Sequence, residues 1–320
     1  MKKSLLSMIA LLLVANNTFA NDLYQRLQDI SVTVKAGMSE GSGVIITREV
    51  RVSPNKTEKI NFVWTAGHVI DNLRSVRTII KNGQPMKVVE FRDAQIVKEL
   101  VENGRRVGEL KMDAKVLKYS DATEGEDLAL LMVRKRNFIQ NNSDFYSGSG
   151  VPVSIGTELY HVGSLLGQTG SNSMTRGIVS QVGRVLNLGS GDGTVFDQTT
   201  VTAFPGSSGG GVFLSERSGD KAGQYMGMLV RGAGETFNLI VPVRRMRSWA
   251  AKNSISWALS KEVEVPSLKD IVALPIEGVQ SKSKSSDKKS VTKDATQFPT
   301  LIQITKEEQK KVQIDTLQVR

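Results

Sequence analysis

Three short segments contain side chains that could perform chemistry together. In Thr65-Ala66-Gly67-His68, small residues leave room for another molecule to approach the imidazole. Asp127 precedes the apolar run 128–133, where a carboxylate is costly to bury without a partner. In Gly206-Ser207-Ser208-Gly209-Gly210, the glycines allow a strained backbone that projects a hydroxyl and directs two N–H groups to one point.

Each segment alone has an ordinary explanation. A lone histidine is usually a core or surface residue, and an aspartate beside a strand is often a turn residue. Loops rich in serine and glycine are common. The order His68, Asp127, Ser208, with each residue in its own local context, favours a shared site. His161, the second histidine, lies in a predicted strand and is interpreted as structural.

The motifs TAGH, EDLALL and GSSGG resemble the signature segments of trypsin-like (chymotrypsin-fold) serine proteases. The absence of cysteine, GSGVII at 41–46 and TRGIVS at 175–180 are most similar to the bacterial Deg/HtrA branch. The resemblance spans about residues 30–250. About 60 residues follow, too few for the PDZ domain usual in that branch, so its oligomeric chaperone behaviour is not expected here.

The resemblance implies an all-β fold of two six-stranded antiparallel barrels with the active site in the cleft between them. The protease domain would span 21–257, with barrel one at about 21–145 and barrel two at about 150–243. A closing helix at 244–257 would complete it.

The resemblance also implies a role for each site residue. Ser208 would attack the scissile carbonyl while His68 takes its proton, and Asp127 would hold the imidazole tautomer. The N–H groups of Gly206 and Ser208 would bind the oxyanion. Ser207 is a competing hydroxyl, but the family pattern places the nucleophile immediately before the glycine pair, at Ser208.

The family pattern places the substrate pocket floor at Thr202, with Ala203 beside it and Val230, Arg231 and Gly232 along one wall. No carboxylate stands at the floor, so the pattern predicts a preference for uncharged side chains. Arg231 could admit an acidic side chain if it turned inward, but we expect it to face solvent. Val230 replaces a serine that supports the aspartate in many members, which predicts one donor fewer to Asp127.

Turn signals predict where the strands lie. Asn82-Gly83 and Asn103-Gly104 each separate two apolar runs, which predicts two tight hairpins in the first half. In the second half of the chain, the sequence predicts strands at 158–166, 177–188, 194–204, 210–214, 224–230 and 237–243. Residues 258–320 are expected to form a basic tail, disordered around 281–296, that peptide hydrolysis does not need.

The first twenty residues have a charged start, an apolar run and a small residue at Ala20, as in a secretory signal peptide. The apolar run is too short to span a bilayer, so we expect no transmembrane span. Export to the bacterial periplasm or the medium is therefore expected. Cleavage after Ala20 would leave 40 basic and 32 acidic residues, a formal charge of +8.

Composition excludes several other classes of site. Two histidines and no cysteine cannot supply a usual zinc site, and the chain has no phosphate-binding loop. We therefore expect neither a metal nor a cofactor, and no disulfide framework. The positive charge is spread out and aromatic residues are only 6%, so nucleic-acid binding is not expected.

Two alternatives to an active serine endopeptidase remain. One is a protease-fold protein of weak or no turnover that acts as a binding module in the envelope, and the other is a module that binds anionic polymers. Retention of all three residue types argues against the first. The expected partners are protein or peptide substrates, and the sequence leaves the oligomeric state open.

Overall fold

The computed structural model describes residues 22–81, 83–102, 105–123, 125–148, 153–186, 193–232 and 236–277. The chain divides into one unit at 1–280 and another at 281–320, and every described residue belongs to the first. The predicted signal peptide and the predicted disordered segment 281–296 lie outside the described residues.

Six strands close the first barrel in the order β1-β2-β3-β8-β7-β6, all pairs antiparallel. Their bounds are β1 (Ser31–Ala36), β2 (Ser39–Ser53), β3 (Lys56–Thr65), β6 (Ala94–Glu102), β7 (Arg105–Ser120) and β8 (Leu128–Val133). Strand β8, LALLMV, is buried along almost its whole length, so it is a continuous apolar run rather than an alternating one.

Six further strands close the second barrel in the order β10-β11-β14-β13-β12-β9, again antiparallel. Their bounds are β9 (Glu158–Gly163), β10 (Ser173–Leu186), β11 (Thr194–Thr199), β12 (Gly211–Leu214), β13 (Tyr225–Gly232) and β14 (Asn238–Pro242). The predicted fold of two six-stranded antiparallel barrels is confirmed.

Both predicted hairpins are present. β4 (Arg74–Lys81) and β5 (Gln84–Phe91) pair up to Lys81 opposite Gln84, as a two-residue connection requires, and form a separate two-stranded sheet. β6 and β7 pair up to Glu102 opposite Arg105.

Helices cover the barrels at both ends of the described chain. Residues 22–29 form helix α1, which the sequence analysis did not predict, and its Leu23 and Leu27 are buried. Helix α3 (Val243–Lys252) and a short 3-10 turn at Ser256–Ala258 occupy the predicted closing helix, so that helix is broken rather than continuous. None of the described helices is long and apolar enough to cross a membrane.

Aromatic contacts hold the C-terminal segment on the first barrel. Phe62 and Trp64 share one face of β3, because side chains alternate along a strand. The Phe62 ring lies 4.8 Å from that of Trp257, and the Trp64 ring lies 6.0 Å from that of Trp249. Both pairs have edge-to-face geometry, which aromatic rings favour.

The packed chain continues beyond 257, where we expected the domain to end. Helix α4 (Leu268–Ala273) buries Ile271 completely. The Tyr119 amide donates to the Ile276 carbonyl at 2.9 Å, and Lys118 Nζ donates to the Pro275 carbonyl at 2.7 Å. Residues 259–277, here called the C-terminal strap, are therefore part of the folded unit. The expected boundary is about twenty residues too early, because a short apolar helix in a polar region gives a weak sequence signal.

Candidate active site

His68 is positioned by the end of a buried strand. β3 ends at Thr65, and the single turn α2 (Gly67–Ile70) begins two residues later. Ile70 is fully buried and fixes this turn in the core. The His68 side chain remains 35% exposed, so one edge of the imidazole faces the cleft.

Asp127 holds the other edge of that imidazole. Its carboxylate oxygens lie 2.9 and 3.0 Å from His68 Nδ1, and one of them also accepts from the His68 amide at 3.0 Å. Asp127 is 2% exposed and has a φ of 55°, a left-handed conformation that aspartate tolerates better than most residues. An ionised carboxylate only accepts hydrogen bonds, so Nδ1 carries a proton and Nε2 of the neutral ring has a free lone pair.

Ser208 lies in a loop of the second barrel that approaches the first barrel closely. Gly206 has a φ of 95°, and a Cβ there would lie 2.3 Å from the Ser164 carbonyl oxygen. Gly209 has a φ of 87°, and a Cβ there would lie 2.1 Å from the Ser42 carbonyl oxygen. Glycine is therefore required at both positions by conformation and by space.

The backbone amides of this loop divide into two groups. The N–H groups of Ser207, Gly209 and Gly210 donate to backbone carbonyls at 2.8 to 3.0 Å. In the described part of the chain, the N–H groups of Gly206 and Ser208 have no acceptor. These are the two amides that the resemblance implied for the oxyanion.

The peptide before Gly206 has a defined orientation. The Pro205 carbonyl accepts from the Leu166 amide at 2.7 Å. Because the C=O and N–H of a trans peptide point in opposite directions, the Gly206 N–H points away from Leu166. The Pro205 carbonyl therefore does not point into the space beside the Gly206 N–H, where a bound oxyanion would lie.

Ser42 connects this loop to the first barrel. Its Oγ donates to the Gly206 carbonyl at 2.7 Å and accepts from the Ser164 amide at 2.7 Å. Its amide donates to the Ser208 carbonyl at 2.7 Å, and its carbonyl accepts from Thr65 Oγ1 at 2.8 Å. Ser42 is completely buried, and the sequence analysis missed it as a site residue. Its position in GSGVII was visible, but its partners are remote in sequence.

The two serines of the loop have different surroundings. Ser207 is completely buried and its Oγ accepts from the Phe204 amide at 3.1 Å. Ser208 is half-buried and lines a cavity. Among the described residues, no hydrogen bond joins the Ser208 hydroxyl to His68, and such bonds are often long before substrate binds.

The cavity beside Ser208 has a volume of about 390 Å³. Of the predicted pocket residues, Ala203, Arg231 and Gly232 line it. Thr202 and Val230 do not. The lining residues that the sequence analysis missed are Phe204, Pro205, Leu229 and Asn238.

Strand alternation explains the error at Val230. Leu229 and Arg231 both line the cavity, whereas Val230 between them is buried in the hydrophobic core. Val230 has no side-chain donor, and the hydrogen bonds that Asp127 accepts within the described chain come from His68. The alternation was visible in the sequence, since a strand cannot place three successive side chains on one wall.

Arg231 does not face solvent as we expected. Its Nη2 donates to the Ala122 carbonyl of the first barrel at 2.9 Å, and its Nε is buried with no hydrogen-bond partner among the described residues. Arg231 therefore gives the cavity a positive charge.

His161 lies on the β9 strand and is completely buried. Its Nδ1 lies 3.0 Å from the Gly211 carbonyl, and burial lowers the pKa of the imidazole to about 4. A neutral histidine at this position is a core residue. Within the described residues, no group of three or more His, Cys, Asp or Glu side chains could hold a metal.

The double barrel, with a paired histidine and aspartate on one side and a glycine-bounded serine on the other, defines the chymotrypsin-like class of hydrolases. The family model for the trypsin-like peptidase domain matches residues 41–219, more than half of the chain. The chain therefore belongs to the trypsin-like peptidase family, a family of serine endopeptidases.

Proteins named as HtrA proteases are among those similar to this chain. A curated relative, the serine protease Do-like HtrA of Lactobacillus helveticus, is 26% identical over 190 residues, 59% of this chain and 35% of the relative. The chain thus spans about a third of the length of that relative. An HtrA-type protease solved with a tripeptide, AlgW, is 18% identical with a TM-score of 0.50, over 74% of this chain and 63% of that chain. The serine endoprotease of Yersinia pestis is also 18% identical, with a TM-score of 0.48, over 74% of this chain and 66% of that chain.

Proposed function

We propose that the protein is a serine endopeptidase that cleaves peptide bonds with Ser208 as nucleophile, His68 as base and Asp127 as the residue that orients the base. The observation that carries this proposal is the pattern of hydrogen bonds at the cleft. Asp127 accepts from both His68 donors, while the amides of Gly206 and Ser208 are left free. Gly206 and Ser208 are half-buried, and two preorganised amides left free beside a serine support a site for a developing oxyanion.

The reaction begins with the pair on the first barrel. With Nδ1 bonded to Asp127, the imidazole presents its Nε2 lone pair as a base for the Ser208 hydroxyl. Ser208 Oγ forms a bond to the substrate carbonyl carbon, and His68 takes the hydroxyl proton. The imidazolium then lies 2.9 Å from a carboxylate, which stabilises its charge. His68 returns the proton to the leaving amine, and water hydrolyses the acyl-enzyme by the same steps.

The loop of the second barrel stabilises the charge that forms. As the carbonyl becomes tetrahedral, its oxygen gains negative charge and accepts from the Gly206 and Ser208 amides. These donors are held by the Ser42 and Leu166 contacts before substrate arrives. Such preorganised donors contribute about 3 kcal/mol each in comparable sites.

The proposal includes an exported enzyme that acts on proteins or peptides in the periplasm or outside the cell. The signal-peptide pattern of residues 1–20 supports export. The protease domain would start after Ala20 and end near Glu277, at the end of the C-terminal strap. The tail beyond it would serve location or partner binding.

A peptide-cleavage assay tests the proposal. Protein beginning at Asn21 is incubated with a quenched fluorescent peptide library and the products are identified by mass. We expect internal cleavage, reduced by several orders of magnitude in Ser208→Ala and changed little in the matched variant Ser207→Ala. Binding of peptides without cleavage would favour the binding module instead. Loss of activity in Ser207→Ala alone would reverse the assignment of the nucleophile.

A further inference from the structure

We infer that the cavity beside Ser208 selects peptides with a carboxylate side chain, Asp or Glu, next to the bond that is cleaved, and that Arg231 binds this carboxylate. The inference rests on the proposed function, because it assigns a substrate class to the same site. It replaces the preference for uncharged side chains that the family pattern predicted.

The charge of the cavity is the first argument. Its lining consists of apolar residues, small residues and one amide, and Arg231 is the single charged residue among those described. A guanidinium in such surroundings has little competing charge to screen it. The cavity of about 390 Å³ opens at Ser208, so a carboxylate held there would lie beside the scissile bond.

The unused donors of Arg231 are the second argument. A guanidinium has five N–H donors, and one nitrogen, Nη2, donates to the Ala122 carbonyl at 2.9 Å. Nε is buried without a partner, and Arg231 forms no salt bridge with any described residue. The Nη nitrogens at the end of the guanidinium carry the N–H groups that the Ala122 bond does not use, and a substrate carboxylate in the cavity would accept from them.

Two arginines of helix α3 show the contrast with a guanidinium that has an acidic partner. Arg244, at the start of α3, forms two hydrogen bonds to Asp197 at 2.5 and 2.6 Å. Arg245, the next residue, pairs with Glu126. Both arginines are therefore neutralised within the protein, whereas Arg231 on the cavity wall is not.

Arg231 is also held in place before any substrate binds. Its backbone belongs to β13 of the second barrel, and its Nη2 bond reaches the loop of the first barrel that carries Asp127. The side chain thus bridges the two barrels at the cleft. A preorganised side chain loses less conformational entropy on binding, so more of the ion-pair energy appears as selectivity.

Matched peptides test the inference. The fraction of competent enzyme is first measured by titration with a fluorophosphonate. Cleavage of fluorogenic peptides that differ only as Glu against Gln, and Asp against Asn, at each of four positions before the scissile bond is then compared. We expect kcat/KM to favour the acid at least about tenfold at the position directly before the scissile bond, and less at high salt. A preference at another position only would contradict the placement of the carboxylate beside Ser208.

Substitutions of Arg231 test whether this residue causes the preference for an acidic side chain. Arg231→Gln should remove the preference for acid, and Arg231→Glu should reverse it toward Lys and Arg, with the fluorophosphonate still labelling Ser208. The matched control is Arg51→Glu, which makes the same change of charge at an exposed position on β2. It should retain the preference for acid.

The outcomes are distinct. Enzyme that labels fully but cleaves Glu and Gln peptides equally, or keeps its acid preference in Arg231→Gln, overturns this inference and leaves the proposed function standing. Enzyme that neither labels nor cleaves refutes the proposed function, and the inference falls with it. If Arg231→Glu does not fold, the Arg231→Gln result and the salt dependence of the wild type decide the question.

Discussion

The two barrels contribute to the cleft in opposite ways. The first barrel presents a satisfied pair, in which the backbone N–H and the Nδ1–H of His68 both donate to the Asp127 carboxylate. The second barrel presents groups that have no partner among the described residues, namely the amides of Gly206 and Ser208 and the Nε of Arg231. Under the proposed function, the first arrangement prepares a base, and the second leaves donors for a substrate.

Ser42 joins these two halves. It belongs to the first barrel, but three of its four hydrogen bonds reach the second barrel. The loop of the second barrel therefore depends on a residue of the first barrel for its shape.

Disrupting the hydrogen bonds between His68 and Asp127 has the largest expected effect on activity. Asp127→Asn is a suitable change, because asparagine also tolerates the left-handed backbone of this position. An amide can donate to Nδ1 and favour the wrong tautomer, so kcat should fall by about 10⁴ with the fold retained. Steady-state kinetics and circular dichroism check this. Near-normal kcat would show that the pair does not prepare the base.

Removing the C-terminal strap should weaken the first barrel more than the second. A chain ending at Ala258 loses the buried Ile271 and the bonds of Tyr119 and Lys118. We expect the free energy of unfolding to fall by about 3–5 kcal/mol. Urea denaturation measures this loss, with a chain ending at Glu277 as the matched control. Equal stability of the two chains would mean that the strap is dispensable, as the sequence first indicated.

Removing the Ser42 hydroxyl tests whether the first barrel shapes the Ser208 loop of the second barrel. Ser42→Ala frees the Gly206 carbonyl and the Ser164 amide. It should lower kcat about 10²-fold with KM little changed, because the freed carbonyl lies in the peptide between the two proposed oxyanion donors and fixes their positions. Ser31→Ala is the control, since Ser31 is also buried and its hydroxyl donates to the Leu27 carbonyl at 2.8 Å. An equal loss of kcat in both variants would indicate general destabilisation.

Protonation of His161 has the smallest expected effect, a loss of the free energy of unfolding at acidic pH. Burial lowers its pKa to about 4, whereas the unfolded value is about 6.5. The unfolded state therefore binds the proton more readily, so this stability is complete above about pH 6.5 and is lost as the pH falls toward 4. Between pH 8 and pH 5 the loss should be about 2 kcal/mol. His161→Gln should remove this part of the pH dependence, and an unchanged dependence would assign it elsewhere.

The sequence predicted the features that depend on neighbouring residues better than those that depend on contacts between remote segments. The barrels and hairpins follow from strand runs and turns such as Asn82-Gly83, which act over a few residues. The direction of Arg231 and three of the four hydrogen bonds of Ser42 depend on segments more than 100 residues away. No local pattern contains such contacts. The strap was missed for the same reason, because Ile271 is buried by residues remote in sequence.

If Ser208 is a nucleophile that the first barrel has already prepared, a fluorophosphonate should modify it directly. Protein beginning at Asn21 is treated with a fluorophosphonate without further cleavage, and the modified residue is mapped by peptide mass. We expect one phosphonyl group per chain on Ser208, absent in His68→Ala and retained in Ser207→Ala. Modification of Ser207, labelling that persists without His68, or labelling only after a second cleavage between residues 21 and 60 would contradict it.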